Sequence, residues 1–267
     1  MVKIAVAGAA GRMGSRITAL SKEYKELKLV GAFERKGHKD IGKDIGTVVG
    51  IGETGVTLID DLKSIIDKVD LVISFTTVAA SKEHLRIASS KGKAMVIGTT
   101  GFAKEDLKEV HKLTKKIPCV MASNMSTGVN LLLKVLQDIA QTLGDAYDVE
   151  IIEAHHRMKK DAPSGTALKM AQVIADALKR NLDDVAVYAR KGIIGERTSK
   201  EIGIQTIRAG DIVGEHTVIF GGLGERIEVI HKVSSRDTFA RGALRASLWV
   251  HKKPAGLYDM QDVLGLK

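Results

Sequence analysis

The run Glu153-Ala154-His155-His156-Arg157-Met158-Lys159-Lys160-Asp161-Ala162-Pro163-Ser164-Gly165-Thr166 gathers five basic side chains between a β-branched segment and a helical one. Pro163 and Ser164 are helix-entry residues, so the N–H groups of Gly165 and Thr166 are expected to point into the same space. Donors of these kinds hold small molecules that carry carboxylates. Histidine exchanges protons near neutrality, and a lysine among other cations is suited to giving one up. Zinc does not suit the cluster, and no metal is expected. Adjacent histidines on a strand point to opposite faces, and no cysteine or third histidine has ligand spacing.

A second motif stands near the start of the chain. Gly8-Ala9-Ala10-Gly11-Arg12-Met13-Gly14 follows a short apolar run and opens a helical pattern. Glycines there let the backbone turn tightly against a pyrophosphate, and the helix N-terminus offers N–H groups to the anion. Glu34 closes the next apolar run at the distance expected of an acid that binds ribose hydroxyls. Arg35 follows directly, and a guanidinium pairs with a 2′-phosphate, so NADH and NADPH are both admissible. Gly98-Thr99-Thr100-Gly101-Phe102 and Ala122-Ser123-Asn124-Met125 each follow a later apolar run, where the nicotinamide end of a dinucleotide would lie.

The elements that must position these residues read as follows. Strands are expected at Lys3–Ala7, Leu27–Phe33, Leu71–Phe75, Ala94–Ile97 and Cys119–Ala122, with amphipathic helices at Arg12–Glu23, Ala79–Ser90 and Ala103–Lys116. Such alternation implies parallel β-α-β units. Residues 37–58 read as loop with a possible short strand. After Asn124 the texture changes: a long helix Val129–Leu143, a strand Val149–Ala154, and a helix Ser164–Arg180. Runs at Ile202–Arg208, His216–Phe220 and Arg226–Val233 follow, separated by glycine turns that suggest an antiparallel sheet, and Asp237–Val250 is a last helix. The segment Arg208–His216 reads as a hairpin or as a cover for the site. His38, His84, His111, His231 and His251 stand in polar surroundings and need no role.

The 267 residues suffice for two domains, and the net charge of +9 favours anionic partners without choosing among them. The 4% aromatic content and the absence of a reading motif argue against nucleic acid. No run has the roughly 18 apolar residues that a membrane helix needs. Cys119 is the single cysteine, which fits a reducing cytoplasm.

These motifs together resemble the dihydrodipicolinate reductase family of lysine and diaminopimelate biosynthesis. The resemblance runs nearly end to end. It includes GAAGRMG at 8–14, FER at 33–35, GTTGF at 98–102, EAHHRMKKDAPSGTAL at 153–168, RAGDIVGEH at 208–216, HKVSSRDTFARGAL at 231–244 and GLYDMQDVL at 256–264. It implies an α/β fold with two parts. One is a Rossmann-type dinucleotide-binding domain (1–126 plus 236–267). The other is an α+β substrate-binding and tetramerisation domain with an open mixed sheet (127–235). It implies His155 as acid/base, Lys159 as proton donor, and His156, Gly165 and Thr166 as substrate ligands. Gly8, Ala9, Ala10, Gly11, Arg12, Met13, Glu34, Gly98, Thr99, Thr100, Ala122, Ser123, Asn124 and Met125 would bind the dinucleotide, with Arg35 favouring NADPH. The substrate would be a small cyclic dicarboxylate, and the assembly a homotetramer.

The chain departs from the family pattern at Ser74-Phe75-Thr76-Thr77-Val78, where Asp-Phe-Thr and a proline are frequent, and at Met158 and Lys160. Rival readings fit less well. A phosphorylating semialdehyde dehydrogenase needs a cysteine nucleophile beside a base, which Cys119 lacks. A regulator that binds the dinucleotide without turnover has no use for the cluster at His155–Lys159.

Overall fold

A computed structural model describes residues Met1–Lys267. The chain begins β1 (Val2–Ala7), α1 (Arg12–Ser21), β2 (Leu27–Phe33), α2 (Ile45–Val48), β3 (Leu58–Ile59), β4 (Leu71–Ser74) and α3 (Val78–Ser90). It continues β5 (Ala94–Ile97), α4 (Lys104–Thr114), β6 (Pro118–Met121), α5 (Thr127–Leu143), β7 (Asp148–His155), α6 (Gly165–Ala177), α7 (Leu182–Val185) and β8 (Ala186–Val187). It ends β9 (Ile202–Arg208), β10 (Gly214–Gly221), β11 (Arg226–Val233), α8 (Asp237–Val250), β12 (Gly256–Tyr258) and α9 (Met260–Leu264). Two compact units result: residues 1–127 with 236–267, and residues 128–235.

The first unit is built on a seven-stranded sheet in the order β12-β6-β5-β4-β1-β2-β3, every pair parallel. Strand alternation explains its two cores. Ile4, Val6, Leu71, Ile73 and Val96 enter the layer that holds α1 and α8, while Ala5, Ala7, Val72, Met95 and Ile97 enter the opposite one. Helix α8 lies against α1 and β5. β1 runs between the β2 and β4 branches, so loops on both sides diverge at its carboxyl end and leave a crevice there. The three-residue β12 and the short β3 had too few residues to register as apolar runs.

The second unit has a five-stranded sheet in the order β11-β10-β7-β9-β8. It is mixed, as the family resemblance implied, and not wholly antiparallel, as the glycine turns suggested: β10 is antiparallel to β7 and β11, but β9 is parallel to β7. The crossover containing α6 sets that direction, and the glycine turns that suggested three antiparallel strands lie in other connections. The core is one face of this sheet against α5 and α6, with Val149, Ile151, Ile204, Val218 and Phe220 meeting Leu136, Met170 and Ile174. On the other face Ile207 and Ile230 are exposed. No helix in either unit is long and apolar enough to cross a membrane.

Candidate active site

In the first unit the glycine turn and the acid are joined directly. Gly8 takes φ +65°, a conformation that costs glycine little. A Cβ on Gly14 would stand 2.0 Å from the Gly8 carbonyl oxygen, so helix α1 can start this close to the turn only without a side chain there. The N–H groups of Gly8 and Ala9 donate to the Phe33 carbonyl at 2.8 and 3.3 Å. Glu34 accepts from the N–H of Ala10 and of Arg35, both at 3.2 Å. Ala9 is fully buried, so it shapes the turn through its backbone.

A cleft of about 630 Å³ opens beside this turn. Gly8, Gly11, Glu34, Arg35, Lys36 and Phe75 are among its walls, as is His84. α1 begins with Gly11 as its N-cap and no side-chain cap, so its first N–H groups are left for an anion. A left-handed glycine, an uncapped helix start and a carboxylate on one cleft are the donor and acceptor set a dinucleotide requires. Arg12 is exposed at the same helix start.

His84 was expected to be idle. Instead it packs edge-on against Phe33 at 4.9 Å, and its Nδ1 lies 3.2 Å from Ser74 Oγ. Burial pushes its imidazole down to about 4. It stands one residue before buried Leu85 and three after buried Ser81, so its place beside the apolar stripe of α3 was the available signal.

A smaller cavity of about 230 Å³ is lined by Met13, Phe75, Gly98, Ser123, Asn124, Met125 and Phe239. Phe75 thus borders both cavities; the sequence put its loop, residues 74–78, against the cofactor but did not single out Phe75 as a site residue. A Cβ on Gly98 would stand 2.1 Å from the Phe75 ring, so this glycine makes room for that ring. Thr99 is buried, with its Oγ1 accepting the Thr76 N–H at 2.9 Å and meeting Ser81 Oγ at 2.7 Å. Its hydroxyl therefore fastens the loop, while Thr100 is exposed. Ala122 faces a separate hollow with Tyr258 and Lys267.

In the second unit the cluster forms at the carboxyl end of β7. Glu153 and His155 share one sheet face because they are two residues apart. Thr206 and His216 lie in register with Glu153, and Arg208 with His155. Glu153 is completely buried. Its carboxylate accepts from both Nη atoms of Arg208 at 2.8 Å, from Thr206 Oγ1 at 3.2 Å and from the Ser164 N–H at 3.0 Å, and pairs with His155 Nδ1 at 2.6 Å. Burial alone would raise this carboxyl, but Arg208, His155 and the Ser164 N–H outweigh it and hold it below its ordinary value. Burial pushes the His155 imidazole down more than Glu153 raises it.

The connection from β9 to β10 is not a hairpin, because both strands flank β7. It passes over the end of β7, with the Ala209 N–H donating to the His155 carbonyl at 3.0 Å and the Arg157 N–H to the Gly210 carbonyl at 3.1 Å. Ser164 caps α6 by accepting the Ala167 N–H, and its Oγ lies 3.2 Å from His216 Nε2. Gly165 opens α6 with nothing within 4 Å of its missing Cβ, and Thr166 follows. His156 buries its Nδ1 without a hydrogen-bond partner. Lys159 Nζ meets both oxygens of Asp161 at 2.8 Å, so the cluster is not purely cationic. His231, also expected to be idle, lies on β11 in register with His216.

Comparison with known proteins follows the same division. The family models described as dihydrodipicolinate reductase, N-terminus and C-terminus, match residues 2–125 and 128–264. A 4-hydroxy-tetrahydrodipicolinate reductase of Syntrophobacter fumaroxidans is 60% identical over 100% of both chains. The protein of the same name from Syntrophus aciditrophicus is 55% identical over 100% of both. A dipicolinate-bound dihydrodipicolinate reductase from a Paenisporosarcina species superposes with TM-score 0.75 at 28% identity, covering 98% of each chain. The WlbA dehydrogenase of Thermus thermophilus shares the fold, with TM-score 0.61 at 15% identity over 98% of this chain and 91% of its own.

Proposed function

The chain belongs to the dihydrodipicolinate reductase family, and from that premise we propose that it reduces 4-hydroxy-tetrahydrodipicolinate to tetrahydrodipicolinate with NADH or NADPH. The step belongs to lysine and diaminopimelate biosynthesis. In this conversion the ring hydroxyl leaves as water, and a hydride and a proton are taken up. The reduced nicotinamide supplies the hydride when bound.

The protein's own side chains do the remaining work. The helix start at Gly11, Arg12 and Met13, with Gly8 and Ala10, receives the pyrophosphate. Glu34 takes the ribose hydroxyls and Arg35 the 2′-phosphate. Gly98, Thr99 and Thr100, with Ala122, Ser123, Asn124 and Met125, shape the nicotinamide end. In the second unit His156, Gly165 and Thr166 grip the substrate carboxylates, Lys159 provides the proton, and His155 is the acid/base group. Cationic donors at this site stabilise negative charge that develops on the ring nitrogen during hydride addition, which favours the transition state over the ground state.

The observation that carries the reading is that the Glu153 carboxylate ties His155, at the end of β7, to the Ser164 N–H at the start of α6, with His156 and Lys159 in the intervening loop. NAD(P)H oxidation followed by absorbance, with freshly made substrate, tests it directly. Pyridine-2,6-dicarboxylate is expected to inhibit competitively against the substrate, and pyridine-2-carboxylate more weakly. No oxidation, or competition against the coenzyme, overturns the reading. Arg35→Ala is expected to weaken NADPH by about one to two decades and to spare NADH.

The open sheet face with Ile207 and Ile230 suits burial against a second copy, and we assign the protein as a cytoplasmic homotetramer. Sedimentation equilibrium tests the assembly; a monomer at micromolar concentration would refute it.

A further inference from the structure

We propose that Glu153 is a positioning residue for this reaction: it locks His155 in the Nδ1–H form, so that His155 meets substrate through the Nε2 lone pair and leaves proton donation to Lys159. The inference rests on the reductase reading given above, and it divides the roles of the two groups.

Geometry carries it. Glu153 is wholly buried, and each of its oxygens is occupied by donors. Oε1 receives Ser164 N–H, Thr206 Oγ1 and Arg208 Nη2, and Oε2 faces Arg208 Nη1 and His155 Nδ1. A protonated carboxyl would need an acceptor among these partners, and only the imidazole and the Thr206 hydroxyl could serve as one, while the two Arg208 donors and the Ser164 N–H favour the ionised form. An ionised carboxylate only accepts, so the 2.6 Å contact places the hydrogen on Nδ1. A neutral imidazole carries one N–H, so its Nε2 is then a lone pair. The imidazole of His155 is held below its ordinary value chiefly by burial, which keeps this neutral form dominant near neutrality.

The surroundings of the ring agree. A Cβ on Gly214 would stand 3.1 Å from His155 Nε2, so the glycine leaves that ring edge without a covering side chain. His216 from β10 stands edge-on to the ring at 5.3 Å, and His231 of β11 lies behind it in register. Lys159 and Asp161 from the following loop and Arg208 from β9 complete the charged groups around it. An imidazole presented this way has no Nε2 proton to give. It accepts a hydrogen bond from substrate, from water or from the lysine ammonium. Lys159 transfers one proton to the reduced ring, becomes a neutral amine, and recovers its proton from solvent.

Nitrogen-15 labelling of histidine tests the tautomer in the unaltered protein, by two-bond nitrogen–proton correlation above the imidazole titration. The Nδ1–H pattern for His155 is expected; the Nε2–H pattern overturns the proposal, whatever the variants do. Glu153→Gln is expected to lower kcat by roughly 10–100-fold with the KM for coenzyme unchanged. In a His155→Ala background the same substitution is expected to cost nothing further, because Glu153 acts through His155. An equal loss in both backgrounds overturns the positioning role. Should Glu153→Gln not fold, the tautomer measurement alone decides. Absence of turnover in the unaltered protein would refute the reductase reading and is distinguishable, since the tautomer is read without substrate.

Discussion

Ser164 Oγ lies 3.2 Å from His216 Nε2 while it accepts the Ala167 N–H at 3.1 Å. One hydroxyl therefore starts helix α6 and serves a buried histidine whose Nδ1 has no partner. Ser164→Ala removes a helix cap and leaves both ring nitrogens of His216 unsatisfied. The expected loss is about 2–4 kcal/mol, from the cap and the orphaned polar atom together. Urea unfolding measures it, and a loss under about 0.5 kcal/mol would mean that the contact contributes nothing.

Much of this arrangement was open to reading in the residues, and the exceptions have physical causes. Apolar runs alternating with amphipathic helices identified the parallel sheet, and Glu34 followed from the strand that precedes it. The glycine turns gave β9 and β10 their opposite directions but not their places, because β7 lies between the two strands and the crossover through α6 pairs β9 with β7 in parallel. Glu153 and Arg208 were present as letters but not as a pair. Val149 and Ile151 mark one face of β7, and Glu153 and His155 continue it. Ile202 and Ile204 mark one face of β9, and Thr206 and Arg208 continue it. Two buried faces that each end in a charge of opposite sign are a signal of an ion pair, once the strands are known to be neighbours. That neighbourhood depends on topology, which no local pattern contains. The loop of Phe75 was legible as a cofactor-facing one, but the role of its ring was not, since only the packed fold brings Gly98 under it.

Stability is expected to fall as the pH drops from about 6.5 to about 4. Burial pushes His84 and His216 down to about 4, below the ordinary imidazole value of 6.5. In that window the unfolded chain binds more protons than the folded one, so acid favours unfolding there. The stabilisation is complete above the unfolded value and lost as pH falls through the window. Asp44 acts elsewhere: backbone and hydroxyl donors outweigh its burial and hold it at about 2, so its contribution fades only below the ordinary carboxylate range. Urea midpoints measured from pH 7 to pH 4 check the slope. His84→Gln should flatten it, and an unchanged slope would count against a neutral buried imidazole at that position.

Gly165→Ala separates structure from binding. The missing Cβ of Gly165 has open space around it, so alanine fits and should raise stability by about 0.4–1 kcal/mol through the unfolded chain. A carboxylate that approaches the Gly165 N–H would meet the new methyl. The KM for the dicarboxylate should then rise about tenfold, a cost of about 1.4 kcal/mol, with coenzyme affinity unaltered. Thermal melting and steady-state kinetics on one preparation give both numbers. An unchanged KM would remove Gly165 from the substrate's contacts.

Lys159 is expected to govern turnover and not coenzyme affinity. Its Nζ is held by Asp161 at 2.8 Å; the lysine side chain is 20% exposed, but that of Asp161 is 63% exposed, so water reaches the carboxylate side of the pair. A pair so open to water is worth about 0–1 kcal/mol, so the ammonium can leave it for a substrate at small cost. Lys159→Ala should therefore lower kcat by about 10²–10⁴-fold, the usual worth of a general acid. NAD(P)H affinity should not change, because the groups assigned to the dinucleotide all belong to the other unit. Asp161→Ala gives the contrast: if the pair only parks the lysine, kcat should stay within about fivefold, the factor that 1 kcal/mol represents. Fluorescence titration of NADPH beside steady-state kinetics reads all three proteins. A loss in Asp161→Ala as large as in Lys159→Ala would mean that the reaction uses the ion pair and not the released ammonium. A parallel fall in coenzyme affinity would take the proton-donor role away from Lys159 altogether.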